Sequence, residues 1–163
     1  MRNKKRIVWG SIAAVILILF IAFRFYQAIQ ADLKQDKEHA VAVALQETRM
    51  EQVNRVEPFI GDKPYMVVYG LSDREEEMIV WVNEDEVLTK FGREGVDLET
   101  VRDKTAAKNP QLQILRVSAG KLQDVLVWEV FYKQKEEEGE RHYYDYYRFT
   151  DGELLDTYRM TGP

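Results

Sequence analysis

The sequence predicts an α+β protein: a long helical N-terminal part, then two successive units, each a helix laid across a curved antiparallel sheet. Three observations predict it. Residues near the N-terminus form an uncharged apolar run of helical length. A helix-period stripe then gives way to short runs rich in β-branched and aromatic residues, broken by turn residues. The same order returns in the second half, with strands that match locally.

The first element is the run Ile7–Phe23, 17 residues without a charge, preceded by Arg2, Lys4, Lys5 and Arg6. A bilayer core about 30 Å thick needs roughly 17–25 apolar residues at about 1.5 Å rise each. Arg24 can snorkel outward, and Phe25 and Tyr26 suit an interfacial aromatic belt. The expectation is a basic stub over 1–6 and a transmembrane signal-anchor over 7–26. Arg2, Lys4, Lys5 and Arg6 would set the topology, with the N-terminus cytoplasmic and the rest extracytoplasmic in a single-pass cell-membrane protein. A cleaved signal peptide competes with this reading. It fits less well, because its apolar region is usually 7–15 residues and ends in a small-x-small site. Here the sequence continues as Ile21-Ala22-Phe23-Arg24-Phe25-Tyr26.

Charge divides the chain. Formal net charge is -5, yet every acidic residue lies from Asp32 onward while Arg2, Lys4, Lys5, Arg6 and Arg24 precede it. That leaves 28 acidic against 18 basic residues from Asp32 onward. Such a body repels phosphate backbones, which argues against nucleic acid as a partner. There is no cysteine, so neither disulfides nor thiol chemistry is available and the core must hold the fold alone.

From Asp32 to about Met50 the pattern is helical, with Leu33, Val41, Ala44, Leu45 and Thr48 on one stripe. Val53–Ile60, Pro64–Tyr69 and Met78–Val82 read as strands, separated by turns at 61–63 and 70–74. Asp97 is placed to cap a helix reaching about Lys108, which Asn109-Pro110 ends. Strands follow at Leu112–Ser118, Asp124–Lys133, His142–Thr150 and Glu153–Arg159, with Asp151-Gly152 as a tight hairpin turn before the last. Tyr65–Gly70 (YMVVYG) matches Trp128–Lys133 (WEVFYK), and Trp81–Leu88 (WVNEDEVL) matches Arg148–Leu155 (RFTDGELL). An internal duplication is the expected cause, giving domains over 32–90 and 96–161 with a border near Lys90–Val96.

Catalytic signals are sparse. Of the two histidines, His39 has no second ligand at i+3 or i+4 to make a metal pair, and His142, which opens a Tyr-rich strand, reads as a surface residue or cross-strand partner of a tyrosine. No GxSxG, HExxH, SxxK or phosphate-cradling glycine loop occurs. The acid runs at Glu75–Glu77 and Glu136–Glu140 lack the alternation of a calcium loop and read as charged hairpin ends. The expectation is a protein that is not an enzyme and takes no cofactor or metal.

Aromatic density in the second half is the strongest sign of a contact surface. Trp128, Tyr132, Tyr143, Tyr144, Tyr146 and Tyr147 are the candidate partner-binding residues. Strand alternation sends Tyr143 and Tyr147 to one face and Tyr144 and Tyr146 to the other, and only one face can lie under the helix. Tyrosine combines rigid contact area with a polar tip, which suits a protein or glycan partner.

At this point the chain resembles a known family. The segments VNRVEPFIG (Val53–Gly61), PYMVVYG (Pro64–Gly70) and WVNEDE (Trp81–Glu86), in this order behind a basic start and apolar run, are similar to those of the YpmB/TseB-like cell wall elongation regulators of Bacillus and its relatives. The resemblance covers essentially the whole length. It implies tandem cystatin-like or PepSY-like domains and a non-enzymatic, membrane-anchored protein that binds and regulates a penicillin-binding transpeptidase in side-wall peptidoglycan synthesis. The alternative it leaves open is a PepSY-like ligand module for glycan strands or the propeptide of a secreted peptidase. The inhibitory QxVxG hairpin of true cystatins is absent, since Gln52-Val53-Asn54-Arg55-Val56 lacks the glycine.

Overall fold

A computed structural model describes the backbone of residues 2–137 and 139–160 and, within the first helix, the side chains of residues 15–27 and 33–47. The element order is α1 (Arg2–Glu47), β1 (Met50–Ile60), β2 (Pro64–Ser72), β3 (Glu77–Val82), β4 (Val87–Phe91), a 3-10 turn at Gly92–Glu94, α2 (Leu98–Ala106), β5 (Gln113–Leu122), β6 (Val125–Glu136), β7 (Gly139–Arg148) and β8 (Leu154–Arg159). The chain divides into two units, Met1–Glu38 and His39–Pro163.

The first unit is helical and corrects one expectation. Among the described residues no helix is long and apolar enough to cross a membrane. This overturns the transmembrane signal-anchor at 7–26, the single-pass cell-membrane placement and the membrane attachment built on it. Residues 7–14 and the basic residues Arg2, Lys4, Lys5 and Arg6 lie outside the described side chains.

The second unit holds two four-stranded antiparallel sheets with the simple orders β1-β2-β3-β4 and β5-β6-β7-β8. Both locally matching segments fall on equivalent strands, YMVVYG on β2 and WEVFYK on β6. One face of the first sheet is covered by the last turns of α1, where Ala40 and Ala44 pack on Val68, Met78, Val80 and Val82. Small residues at i and i+4 let the helix approach the sheet closely.

The other face of this sheet does not meet solvent. Phe59, Tyr65, Val67, Ile79 and Trp81 merge with Val101, Val117, Val127, Trp128, Val130 and Phe149 into one buried cluster. Trp81 meets Phe149 edge-on at 5.8 Å between ring centres, and Phe149 lies 5.9 Å from Trp128. The two halves therefore share a core. Gly120 is part of this joint: Phe59 occupies the space a Cβ there would fill.

Polar contacts close the same joint at its rim. Lys121 donates to Glu86 at 2.6 Å, and Tyr65 donates to the same carboxylate. Tyr69 donates to Glu57 at 2.6 Å and accepts the Ala119 N–H at 2.7 Å. That second bond satisfies a backbone donor on the edge of β5.

Residues 92–98 join the halves. Val96 donates its N–H to the Phe149 carbonyl and accepts the Trp128 indole N–H, both at 2.9 Å. Asp97 then caps α2, accepting the Thr100 N–H at 2.6 Å, as expected of an Asp at this position. Val101 and Thr105 are the buried residues of α2.

Candidate functional site

Alternation along β6 and β7 gives the second sheet two unlike faces. Trp128, Val130, Tyr132, Tyr143, Asp145, Tyr147 and Phe149 are all buried. Asp145 is fully buried, which demands partners. It has four: Lys108 at 2.6 Å, Thr157 at 2.7 Å, Tyr147 at 3.2 Å and Tyr132 at 3.4 Å. Thr105 on α2 lies 2.9 Å from the Tyr147 hydroxyl. This face is the seat of α2.

Trp128, Tyr132, Tyr143 and Tyr147, four of the six candidate partner-binding residues, belong to it. Their burial assigns them to the core and out of reach of a partner. Tyr143 also donates to Glu136 at the sheet's far end.

The opposite face carries the other two candidates, Tyr144 and Tyr146, both half-buried. Phe131 and Tyr144 are directly opposite on β6 and β7 and stack at 4.7 Å. Tyr144 and Tyr146 lie parallel, interplanar angle 12°, at 6.5 Å. His142 also stacks with Phe131 at 5.5 Å. Arg116 from β5 reaches over Phe131 at 5.9 Å and pairs with Glu129 at 2.7 Å, while Tyr146 donates to Glu129 at 3.2 Å.

Glu129 is buried although it carries charge. Arg116 and Tyr146 supply the donors that such a group requires. Burial, with the Glu129 carboxylate close by, pushes the Tyr146 phenol well above its ordinary value. The result is a pre-set aromatic face with a polar rim, the composition that makes contact surfaces. Phe131, His142, Arg116 and Glu129 belong to this face but not to the sequence-based candidates. The i, i+2 series Glu129-Phe131-Lys133 was the available signal, because it shares parity across the register with Tyr144 and Tyr146.

Two hollows lie elsewhere on the second unit. A polar cleft of about 430 Å³ includes Lys63, Tyr65, Asp85, Glu86, Lys121 and Asp124. The Lys121 and Tyr65 hydrogen bonds hold the Glu86 carboxyl below its usual range, so these charges are mutually satisfied. A smaller hollow of about 190 Å³ lies between β3 and residues 92–98. Among the described residues, no group of three or more His, Asp or Glu is placed to hold a metal ion. In the acid runs Glu76 pairs with Arg93 and Glu136 with Arg159; Glu138 lies outside the described residues.

The fold and this face define an α+β protein of two antiparallel sheets fused on one core, with an open aromatic sheet face. The model of the cell wall elongation regulator TseB-like domain family matches residues 39–83. The chain is 29% identical to the probable cell wall elongation regulator TseB of Bacillus subtilis (strain 168), over 94% of this chain and 96% of that one. The solved structure of the YpmB protein from Bacillus subtilis superposes with a TM-score of 0.63 at 30% identity, covering 76% of this chain and 96% of that chain. The chain belongs to the TseB/YpmB family.

Proposed function

We propose that this protein takes part in cell wall elongation as a non-enzymatic regulator that binds a penicillin-binding transpeptidase of side-wall peptidoglycan synthesis. The contact surface is the open face of the second sheet, centred on Phe131, Tyr144 and Tyr146. One observation carries the reading: these rings are stacked and half-exposed, on a face opposite the one α2 covers. Rings already held in place lose little conformational freedom on binding, so contact area converts efficiently into affinity. The name of the Bacillus subtilis relative, a probable cell wall elongation regulator, supports the process.

Crosslinking in living cells, followed by affinity purification of the full chain, tests it. A wall-synthesis transpeptidase is recovered with the native chain and lost with Tyr144→Ala/Tyr146→Ala. Recovery of no such enzyme under several crosslinkers removes the proposal.

A further inference from the structure

The second sheet ends at β8, whose six residues are all exposed. Met160 donates its N–H to the His142 carbonyl of β7 at 2.9 Å. In an antiparallel ladder such groups alternate, so Tyr158 also turns its backbone toward β7 while Thr157 and Arg159 turn theirs to the open side. The β5 edge of the same sheet is occupied by Tyr69 from the first half. On β8 the exposed residues include Leu154, Leu155, Tyr158 and the following Met160, with Tyr158 59% exposed. An open edge with apolar side chains is a template for another strand.

What would complete it is visible in the register. Phe131, Tyr144 and Tyr158 are directly opposite one another on β6, β7 and β8. This aromatic row runs across the sheet and stops at the edge, with the outer side of Tyr158 uncovered.

We infer that β8 pairs with β8 of a second copy of this chain, antiparallel and centred on Tyr158. A two-fold axis normal to the sheet keeps the same face of both copies on the same side. It sets Tyr158 against Tyr158 of the second copy, so the row continues through the axis to the other Tyr144 and Phe131. Thr157 then faces Arg159, and Asp156 faces Met160, with no like charges opposed. Centring on Asp156 instead sets two carboxylates against each other, which is unfavourable. Centring on Thr157 leaves Tyr158 opposite Asp156, without an aromatic partner. Asp156 accepts the outward Thr157 N–H at 2.8 Å, and pairing exchanges that acceptor for the Arg159 carbonyl of the second copy. A single strand pair with this exchange makes a small interface, so the dimer is weak, with Kd on the order of micromolar or above.

Sedimentation velocity of the full chain in a mild non-ionic detergent, from about 1 to 200 µM, tests the pairing. The expected result is a concentration-dependent dimer whose Kd rises at least tenfold in Tyr158→Lys, while the unfolding midpoint of that variant stays at the native value. The chain has no cysteine, so single-cysteine variants give an independent readout of register. Tyr158→Cys forms a disulfide-linked dimer faster than Thr157→Cys or Asp156→Cys. A chain that is monomeric throughout, a dimer unchanged by Tyr158→Lys, or fastest crosslinking at Thr157→Cys overturns the inference.

Discussion

Replacing Phe149 by alanine measures how strongly the two halves depend on each other. The ring is 1% exposed and lies between Trp81 of the first sheet and Trp128 of the second. Burying a phenylalanine removes on the order of 150 Å² or more from water, about 4 kcal/mol at 25 cal/mol per Å². Two aromatic contacts add about 0.5–1.5 kcal/mol each, offset by whatever the cavity walls recover on collapse. The expected loss is about 4 kcal/mol, a large share of the roughly 5–15 kcal/mol that holds a domain folded. Urea unfolding followed by tryptophan fluorescence and by far-ultraviolet circular dichroism reads it. In the native chain both signals change in a single coincident transition. In Phe149→Ala the transition stays single and moves to much lower urea. A loss below about 1 kcal/mol, or two separate transitions in the native chain, refutes the shared core.

Other substitutions and conditions test individual contacts. Asp145→Ala leaves Lys108, Thr157 and the Tyr132 and Tyr147 hydroxyls without their acceptor, and costs about 3 kcal/mol in the same urea experiment. Burial raises the phenols of Tyr69, Tyr132 and Tyr146 from the ordinary 10.0, helped by Glu57, Asp145 and Glu129 respectively. The folded chain thus keeps protons that the unfolded chain releases; stability is complete below about pH 10 and falls as pH rises beyond it. Ultraviolet titration shows these three ionising only together with unfolding. Tyr144→Ala lowers stability by about 1 kcal/mol, the scale of one aromatic contact, and Tyr146→Ala lowers it further because it also packs on the shared core and donates to the buried Glu129; both variants keep a native circular dichroism spectrum. Mixed with insoluble peptidoglycan, the chain stays in the supernatant on centrifugation; sedimentation with the wall favours a glycan-binding module.

Much of this fold can be read from local sequence because its determinants are local. Asp97 caps α2 as its residue type demands, and Gly152, at φ 66°, takes the left-handed position of the turn before β8. Parity alone separates Tyr143 and Tyr147 from Tyr144 and Tyr146. Strand β4 escaped because Val87–Phe91 is only five residues long and carries Lys90, which dilutes the strand signal. The acid run at 136–140 reads as a charged hairpin end, and the strands reach far into it: β6 extends to Glu136 and β7 begins at Gly139. Cross-strand cations make the difference: Lys133 pairs with Glu140 and Arg159 with Glu136.

Burial of Trp128, Tyr132, Tyr143 and Tyr147 depends on which face α2 covers, and no single strand encodes that. The joint of Trp81 with Phe149 lies between residues far apart in the chain and has no period to reveal it. At the N-terminus, hydropathy pointed to a membrane span, whereas among the described residues no helix is long and apolar enough for one.

The most direct measurement is the affinity of the purified full chain for a purified penicillin-binding transpeptidase, by isothermal titration calorimetry, beside that of Tyr144→Ala/Tyr146→Ala. Saturable binding by the native chain, weakened at least tenfold in the doubly substituted one, is the expected result. Equal affinity for the two would show that the open aromatic face is not where the enzyme docks.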